Sequence, residues 1–335
     1  MPSLADLPVP LDLAPMEAKR IAALPADPGW WFEPKWDGFR CLAYRAGGEV
    51  ELKAKSGKSL TRFFPEVAAR LAQTAPQRFV LDGELVIPVE GRLAFDALQM
   101  RLHPAQSRID KLSIETPADL ILFDCLLGPR GAPLLAAPLQ SRRAALEDLV
   151  DALDLPEHLR LSPSAADIVQ ARRWLEGSGA ETDGVVAKRC DGVYAPGERA
   201  MLKIKRLRTA DCVVGGFRYL KDQQLVGSLL LGLYDAEGRL NHVGFTSMIS
   251  DAERPDLTRQ LEAVTGGPGF TGDMPGGPSR WRDERSAQWT ALKPELVVEV
   301  LFDQVTAGRF RHGTRLVRWR PDKAPAQCRE DQIAP

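Results

Sequence analysis

No apolar run in this chain approaches the roughly 18 residues that a membrane-spanning helix requires. The opening stretch MPSLADLPVP has neither a cationic start nor a long apolar segment of the kind a secretory signal carries. A cytoplasmic protein with no membrane contact is therefore expected. Cysteine is scarce as well. Cys41, Cys125, Cys190, Cys212 and Cys328 are odd in number and contain no C-x-x-C pair, which speaks against a disulfide framework and a zinc ribbon and leaves reduced core thiols. The four histidines, His103, His158, His242 and His312, show no i,i+4 pairing, so no histidine-centred metal site is visible. An excess of one charge is also missing. Lys and Arg number 44 against 45 Asp and Glu, a net charge of -1, so any surface for a polyanion must be local.

Two phosphate-binding fingerprints are absent. Gly57-Lys58-Ser59 looks like the end of a P-loop, but that motif needs a glycine five residues earlier, and Leu52 stands there. Gly266-Gly267 follows no strand, so no Rossmann turn exists.

What remains is the composition of a globular chain, 44% hydrophobic and 27% charged over 335 residues, which can fill a core and, at roughly 150 residues per domain, suggests two domains. Residues 2–15, rich in proline and alanine, read as extended chain laid over a surface. Strand-like runs follow at 30–35, 40–44, 50–55, 79–87 and 120–127. Helical spacing interleaves with them: Phe63, Val67 and Leu71; Leu139, Leu146, Leu149 and Leu153 with Ser141 as a cap; Ile168, Ala171, Trp174 and Leu175. This predicts an α+β first domain over residues 1–208 with mostly antiparallel sheet. After residue 208 the pattern is almost all strand, at 211–217, 226–234, 240–245, 296–302 and 314–320. A helix at 252–264 and a Gly/Pro loop at 266–278 lie between the third and fourth. Five strands with a helix inserted midway predict an OB-fold β-barrel over residues 209–335.

The chemistry concentrates in Glu33-Pro34-Lys35-Trp36-Asp37-Gly38-Phe39-Arg40. A lysine packed between Trp36, Phe32 and Trp31, beside an aspartate and a glycine that lets the backbone come close to a ligand, suits a nucleophilic amine. At a reference pKa of about 10.4 only about one lysine in a thousand is neutral near pH 7.5, a deficit of roughly 4 kcal/mol unless burial or neighbouring cations offset it. Lys203 and Lys205 supply such cations, because period-two alternation in Met201-Leu-Lys-Ile-Lys205 sets both on one face of a strand.

The motif does not stand alone. In order along the chain come Lys35-Trp-Asp-Gly38 with Arg40, Lys53-Ala-Lys-Ser-Gly57, Leu81-Asp-Gly-Glu84, Leu122-Phe-Asp124, Asp183-Gly-Val-Val-Ala-Lys188, Met201-Leu-Lys-Ile-Lys205 and Arg318-Trp-Arg-Pro-Asp-Lys323. From about residue 15 to residue 323 the chain resembles the ATP-dependent DNA ligases of the covalent nucleotidyltransferase superfamily, most closely the short two-domain bacterial ligase C type. The resemblance implies an ATP-grasp-like nucleotidyltransferase core followed by the OB barrel. It implies that Lys35 attacks the α-phosphate of ATP and carries AMP, that Glu33 reads the adenine amino group, and that Phe123 stacks on the base. Glu84 and Arg40 would hold the ribose and neighbouring phosphate. Lys55, Lys188, Lys203 and Lys205 would complete the nucleotide site, and Arg320 and Lys323 would contact the leaving pyrophosphate. Asp183, with Glu84, would hold Mg²⁺, for which Mn²⁺ can substitute. Nicked duplex DNA is the implied partner, acted on by a monomer in the bacterial nucleoid during DNA repair, with a repair polymerase or end-binding protein as further partners.

Two positions depart from the family pattern. Lys55-Ser56-Gly57 replaces the usual Arg-Asn-Gly, a point charge in place of a bidentate guanidinium, and Asp183 replaces a frequent glutamate. RNA ligases and capping guanylyltransferases share K-x-D-G, but Glu33 and the ligase C likeness argue against capping. A nucleic-acid-binding OB protein with an inactive first half is disfavoured by the intact Lys35, Glu84, Lys203 and Lys205. Two local basic stripes, at 199–208 and 309–323, are candidates for gripping a duplex without reading its bases.

Overall fold

In the computed structural model, residues 3–128, 131–153, 158–177, 182–276 and 288–334 are described. The chain divides into two compact units, Met1–Arg206 and Leu207–Pro335. The division falls just ahead of residue 208 because the strand Arg208–Tyr219 already pairs there, Arg208 facing Phe302.

The first unit holds two sheets. One, of four strands, runs in the order Ala18–Arg20, Met201–Lys205, Thr182–Arg189, Trp30–Trp36. The other, of five, runs Glu49–Ala54, Phe39–Ala46, Arg78–Val86, Asp119–Leu127, Leu159–Leu161. Only two pairings are parallel, Ala18–Arg20 on Met201–Lys205 and Asp119–Leu127 on Leu159–Leu161; the rest of these two sheets is antiparallel. The strand Asp119–Leu127, fourth of the five, is buried at every position; its two acids are paired, Asp119 with His158 and Arg160 and Asp124 with Arg142. Helix Pro65–Gln73 opens with proline at its first turn and buries Val67 and Leu71, while Phe63 falls in the preceding 3-10 turn Thr61–Phe63. Helix Leu139–Leu153 begins before Ser141, so that residue lies inside the first turn and does not cap it. The amino-terminal segment is more built-in than an extended surface strap. Leu4–Asp6 forms a 3-10 turn, and Leu7, Val9 and Met16 are buried against Leu42, Tyr44 and Leu126.

The second unit is a barrel. Its strands run in the order Leu240–Thr246, Val226–Tyr234, Arg208–Tyr219, Val297–Phe302, Arg315–Trp319. A parallel bridge from Thr246 to Thr314 joins the two ends of that order, which closes the sheet in the OB topology. The short strand Thr290–Ala291 adds to Arg208–Tyr219, and helix Arg254–Glu262 is inserted between the third and fourth barrel strands. The last two residues of the Gly/Pro loop at 266–278 lie outside the described residues. Four cysteines are buried and Cys190 is partly so, all five as free thiols. Among the described residues no helix is long and apolar enough to cross a membrane.

Candidate active site

Both sheets of the first unit contribute to one cavity, lined by Glu33, Lys35, Arg40, Lys55, Glu84, Phe123, Lys188 and Lys203, with Pro15, Met16 and Glu17 along its amino-terminal wall. The strand period places its contents. Glu33 and Lys35, two apart on Trp30–Trp36, face the cavity, whereas Phe32 lies in the apolar cluster with Ala171, Val185 and Ala187. The expected aromatic packing around Lys35 therefore fails at Phe32, because strand residues three apart point to opposite faces. Trp36 does line the cavity, and its indole donates to Ser162 Oγ at 2.9 Å.

Lys35 Nζ lies 2.9 Å from each oxygen of Asp183, with only 21% and 7% of the two side chains exposed. The strands that carry them pair directly, Thr182 opposite Trp36. Gly184, next to Asp183, is required by crowding, since a Cβ there would sit 2.0 Å from the Ile204 carbonyl. Gly38 is required for the same reason: a Cβ would meet the Leu85 carbonyl at 2.1 Å, so this glycine admits a neighbouring strand and not a ligand. Burial pushes the Asp183 carboxyl up, against the opposing pull of Lys35.

Glu33 and Lys188 form a buried pair, Nζ to Oε2 2.8 Å, each side chain 4% exposed. Lys188 also donates to the Phe123 carbonyl at 3.2 Å and stands 4.7 Å from the Phe123 ring centroid. Glu33 Oε1 is buried without a hydrogen-bond partner among the described residues, an acceptor suited to an amino group entering the cavity. Burial raises the Glu33 carboxyl, with Lys188 opposing.

Arg40 is fixed by Asp82 through two parallel bonds, Nε to Oδ1 2.5 Å and Nη2 to Oδ2 2.6 Å, and lies 4.6 Å from the Phe123 ring centroid. Burial weighs against its charge and Asp82 more than offsets that, so the guanidinium is held above its usual range. Tyr194 donates its hydroxyl to Asp82 at 2.6 Å and accepts the Met16 amide at 3.1 Å. Neither Asp82 nor Tyr194 is among the residues that the motifs single out. Asp82 was visible inside Leu81-Asp-Gly-Glu84; nothing in the sequence pointed to Tyr194. Glu84 pairs in register with Arg40, and burial raises its carboxyl to about 7 despite Arg40 and Lys35.

Lys203 lines the cavity, and burial followed by the charges of Lys35, Lys205 and Lys55 lowers its pKa. Lys205 lies farther along the same strand, opposite Gly184 in register, where its charge acts on Asp183. Lys55 sits at the rim, 59% exposed, 2.9 Å from Glu17, which its hydrogen bond holds below the usual carboxylate range. Arg320 and Lys323 belong to the second unit, where both are paired to Asp211. The carboxy-terminal basic stripe is thus less bare than its sequence suggests, since Glu299, Asp211 and Asp322 balance Arg318, Arg320 and Lys323.

A half-buried amine flanked by carboxylates and cations between two sheets, in a chain that ends in an OB barrel, defines the lysine-dependent nucleotidyltransferases. Comparison with known proteins narrows the class. Residues 15–205 match the family model for the ATP-dependent DNA ligase domain, and residues 222–323 the model for the ATP-dependent DNA ligase C-terminal region. DNA ligase C1 of Mycolicibacterium smegmatis is 42% identical over 98% of this chain and 95% of its own length. DNA ligase C of Mycobacterium tuberculosis is 40% identical over 98% and 95%. Among solved structures, mycobacterial DNA ligase D complexed with ATP and MES is 30% identical, covers 95% of this chain and 98% of its own, and gives a TM-score of 0.50. The chain belongs to the ATP-dependent DNA ligases.

Proposed function

We propose that this ligase seals nicks in duplex DNA through AMP carried on Lys35, and the observation that supports it is Lys35, paired with Asp183, in the wall of a cavity it shares with Arg40, Lys188 and Lys203. Lys35, after giving up a proton and leaving Asp183, forms a P–N bond to the α-phosphorus of ATP while the bond to the bridging oxygen breaks and pyrophosphate departs. An oxygen of the DNA 5′-phosphate then attacks that phosphorus, the P–N bond breaks and Lys35 regains its proton. Last, the 3′-hydroxyl attacks the 5′-phosphorus, loses its proton, and AMP leaves. Such transfers depend on positioning and on positive charge at the phosphates more than on acid or base groups, which agrees with a site free of histidine.

Glu33 Oε1 accepts the adenine amino group, Phe123 stacks on the base, and Arg40 and Glu84 hold the ribose and adjacent phosphate. Lys55 adds charge at the rim, while Lys188, Lys203 and Lys205 steady the α-phosphate and its surroundings. Arg320 and Lys323 serve the leaving pyrophosphate. Asp183 and Glu84 would hold Mg²⁺, with Mn²⁺ as a substitute, and the ion when bound supplies positive charge at the α-phosphate. The residues fit such an ion. Among the described residues no group of three or more ligating side chains exists, and Mg²⁺ uses one or two carboxylates completed by phosphate oxygens and water. We place the enzyme in the cytoplasm at the nucleoid, as a monomer in DNA repair. A relative named as a multifunctional non-homologous end joining DNA repair protein, 34% identical over 94% of this chain but only 39% of its own length, supports an end-binding protein or repair polymerase as partner.

The test is to incubate the protein with ATP labelled at the α-phosphate and then with a nicked duplex. Label should pass from protein to the 5′-end and be released as AMP on sealing. Sealing without labelled protein would refute the covalent route.

A further inference from the structure

In the second unit, one carboxylate joins the two cations assigned to the pyrophosphate. Asp211 Oδ1 accepts from Arg320 Nη1 at 2.9 Å and Oδ2 accepts from Lys323 Nζ at 2.6 Å, with 12% of the aspartate side chain exposed. Its backbone is clamped independently: its amide donates to Gln332 Oε1 at 3.0 Å and Gln332 Nε2 donates to its carbonyl at 3.2 Å. The register adds a second peculiarity. Asp211 faces Glu299 across adjacent strands, and Glu299 faces Arg318. Like charges set directly opposite each other weaken a sheet, so two facing acids are not what stability alone selects. They are balanced here by Arg318, which bonds Glu299 at 2.6 Å, and by Arg320 and Lys323 on Asp211.

The two cations are not equally dependent on this carboxylate. Arg320 also bonds Asp322 at 2.9 Å and lies 4.0 Å from Glu299, so it keeps partners without Asp211. Lys323 is a flexible four-carbon arm whose ion pair is with Asp211. Held by one rigid carboxylate, the two side chains form a spaced pair of positive groups, one planar and one a point charge, matched to an oligophosphate.

We infer that Asp211 is a positioning residue for the first transfer: it fixes Lys323, and in lesser degree Arg320, in the arrangement that receives the departing pyrophosphate. The inference rests on the assignment of Arg320 and Lys323 to that group. Asp211 touches neither ATP nor DNA in this role, and acts through the two cations.

The test compares AMP attachment across ATP concentrations with the sealing of a nick already carrying 5′-AMP, using the full chain. Asp211→Asn keeps the side-chain shape and leaves the backbone bonds to Gln332 in place. It should raise the half-saturating ATP concentration and slow AMP attachment on the order of tenfold, the size expected for loss of one coupled contact, while sealing of the adenylylated nick stays within about twofold. Combining it with Lys323→Ala should add much less than its own loss, the remainder acting through Arg320. Should Asp211→Asn fail to fold, Asp211→Ser, which also relieves the facing pair of acids, supplies the same comparison. Unchanged AMP attachment, equal loss on both steps, or additive loss with Lys323→Ala would overturn the role of Asp211. Arg320→Ala with Lys323→Ala, measured alongside, separates the two levels: if that variant attaches AMP normally, the assignment of the cations themselves is wrong, and the inference falls with it.

Discussion

Lys35 and Asp183 lie 148 positions apart in sequence, yet the amine and carboxylate meet at 2.9 Å because the strands that carry them are direct neighbours. The pairing gives Lys35 one defined orientation before any nucleotide arrives. It also places the carboxylate proposed for the metal beside the nucleophile, so that a cation held by Asp183 would compete with Lys35 for it.

Glu84 should set a pH dependence of AMP attachment. Its carboxyl is raised to about 7 by burial, with Asp82 and Asp37 adding to that and Arg40 and Lys35 opposing. If the carboxylate is the working form, the rate should climb by up to about tenfold per pH unit below pH 7 and lose that limb above it. Glu84→Gln should lower the rate and flatten this limb. Stability runs the other way: the folded carboxyl titrates above its ordinary 4.5, so the native state binds the proton more tightly and this group costs stability as pH rises from about 4.5 through about 7. Urea unfolding at pH 5 and pH 8 should show a smaller decline for Glu84→Gln than for the unaltered chain.

The buried pair of Glu33 and Lys188 should be a structural necessity as well as a reader of the base. Lys188→Met leaves a carboxylate buried without its cation, and should cost about 3–5 kcal/mol in denaturant unfolding. Glu33→Gln with Lys188→Met should recover part of that. A single variant as stable as the parent would show that Glu33 is already neutral in the folded chain.

Arg320→Ala with Lys323→Ala should slow AMP attachment by about 10²-fold or more, as loss of charge on a leaving group does, yet largely spare sealing of a nick already carrying 5′-AMP. Stopped-time assays on the two substrates decide it. Equal loss on both would assign these residues to DNA binding or folding.

Nick binding should weaken steeply with salt, with log K falling by about 0.9 per logarithmic unit of salt for each phosphate contact. Neutralising Arg315, which is exposed on the last barrel strand, should reduce that slope by about one contact. A flat dependence would remove the basic stripes from the DNA surface.

Much of the fold was legible because its signals are local. The strand runs of both units, the late inserted helix and the passage from mixed to nearly pure strand near residue 208 follow from apolar period and turn residues. The candidate site was legible in outline because Lys35, Glu84 and Lys203, which line one cavity, and Asp183, which pairs with Lys35, each lie in a contiguous short motif. What escaped were partners brought in from elsewhere in the chain. Tyr194 reaches Asp82 from 112 residues away, and Asp211 reaches Lys323 across 112 residues with no motif around it. Glu17, which no motif singled out, walls the cavity just ahead of the strand Ala18–Arg20 that pairs beside Met201–Lys205. The aromatic packing expected around Lys35 also misplaced Phe32, which lies three residues away and faces the other side of the strand.

The central claim is that one lysine carries AMP, and the most direct measurement is the intact mass of the purified chain before and after ATP and Mg²⁺, followed by mapping of the modified peptide. The expected result is a single added adenylate on the peptide containing Lys35, removed by pyrophosphate and absent from Lys35→Ala. An adenylate on Lys35→Ala, or on a peptide outside Trp30–Trp36 in the unaltered chain, would contradict the mechanism.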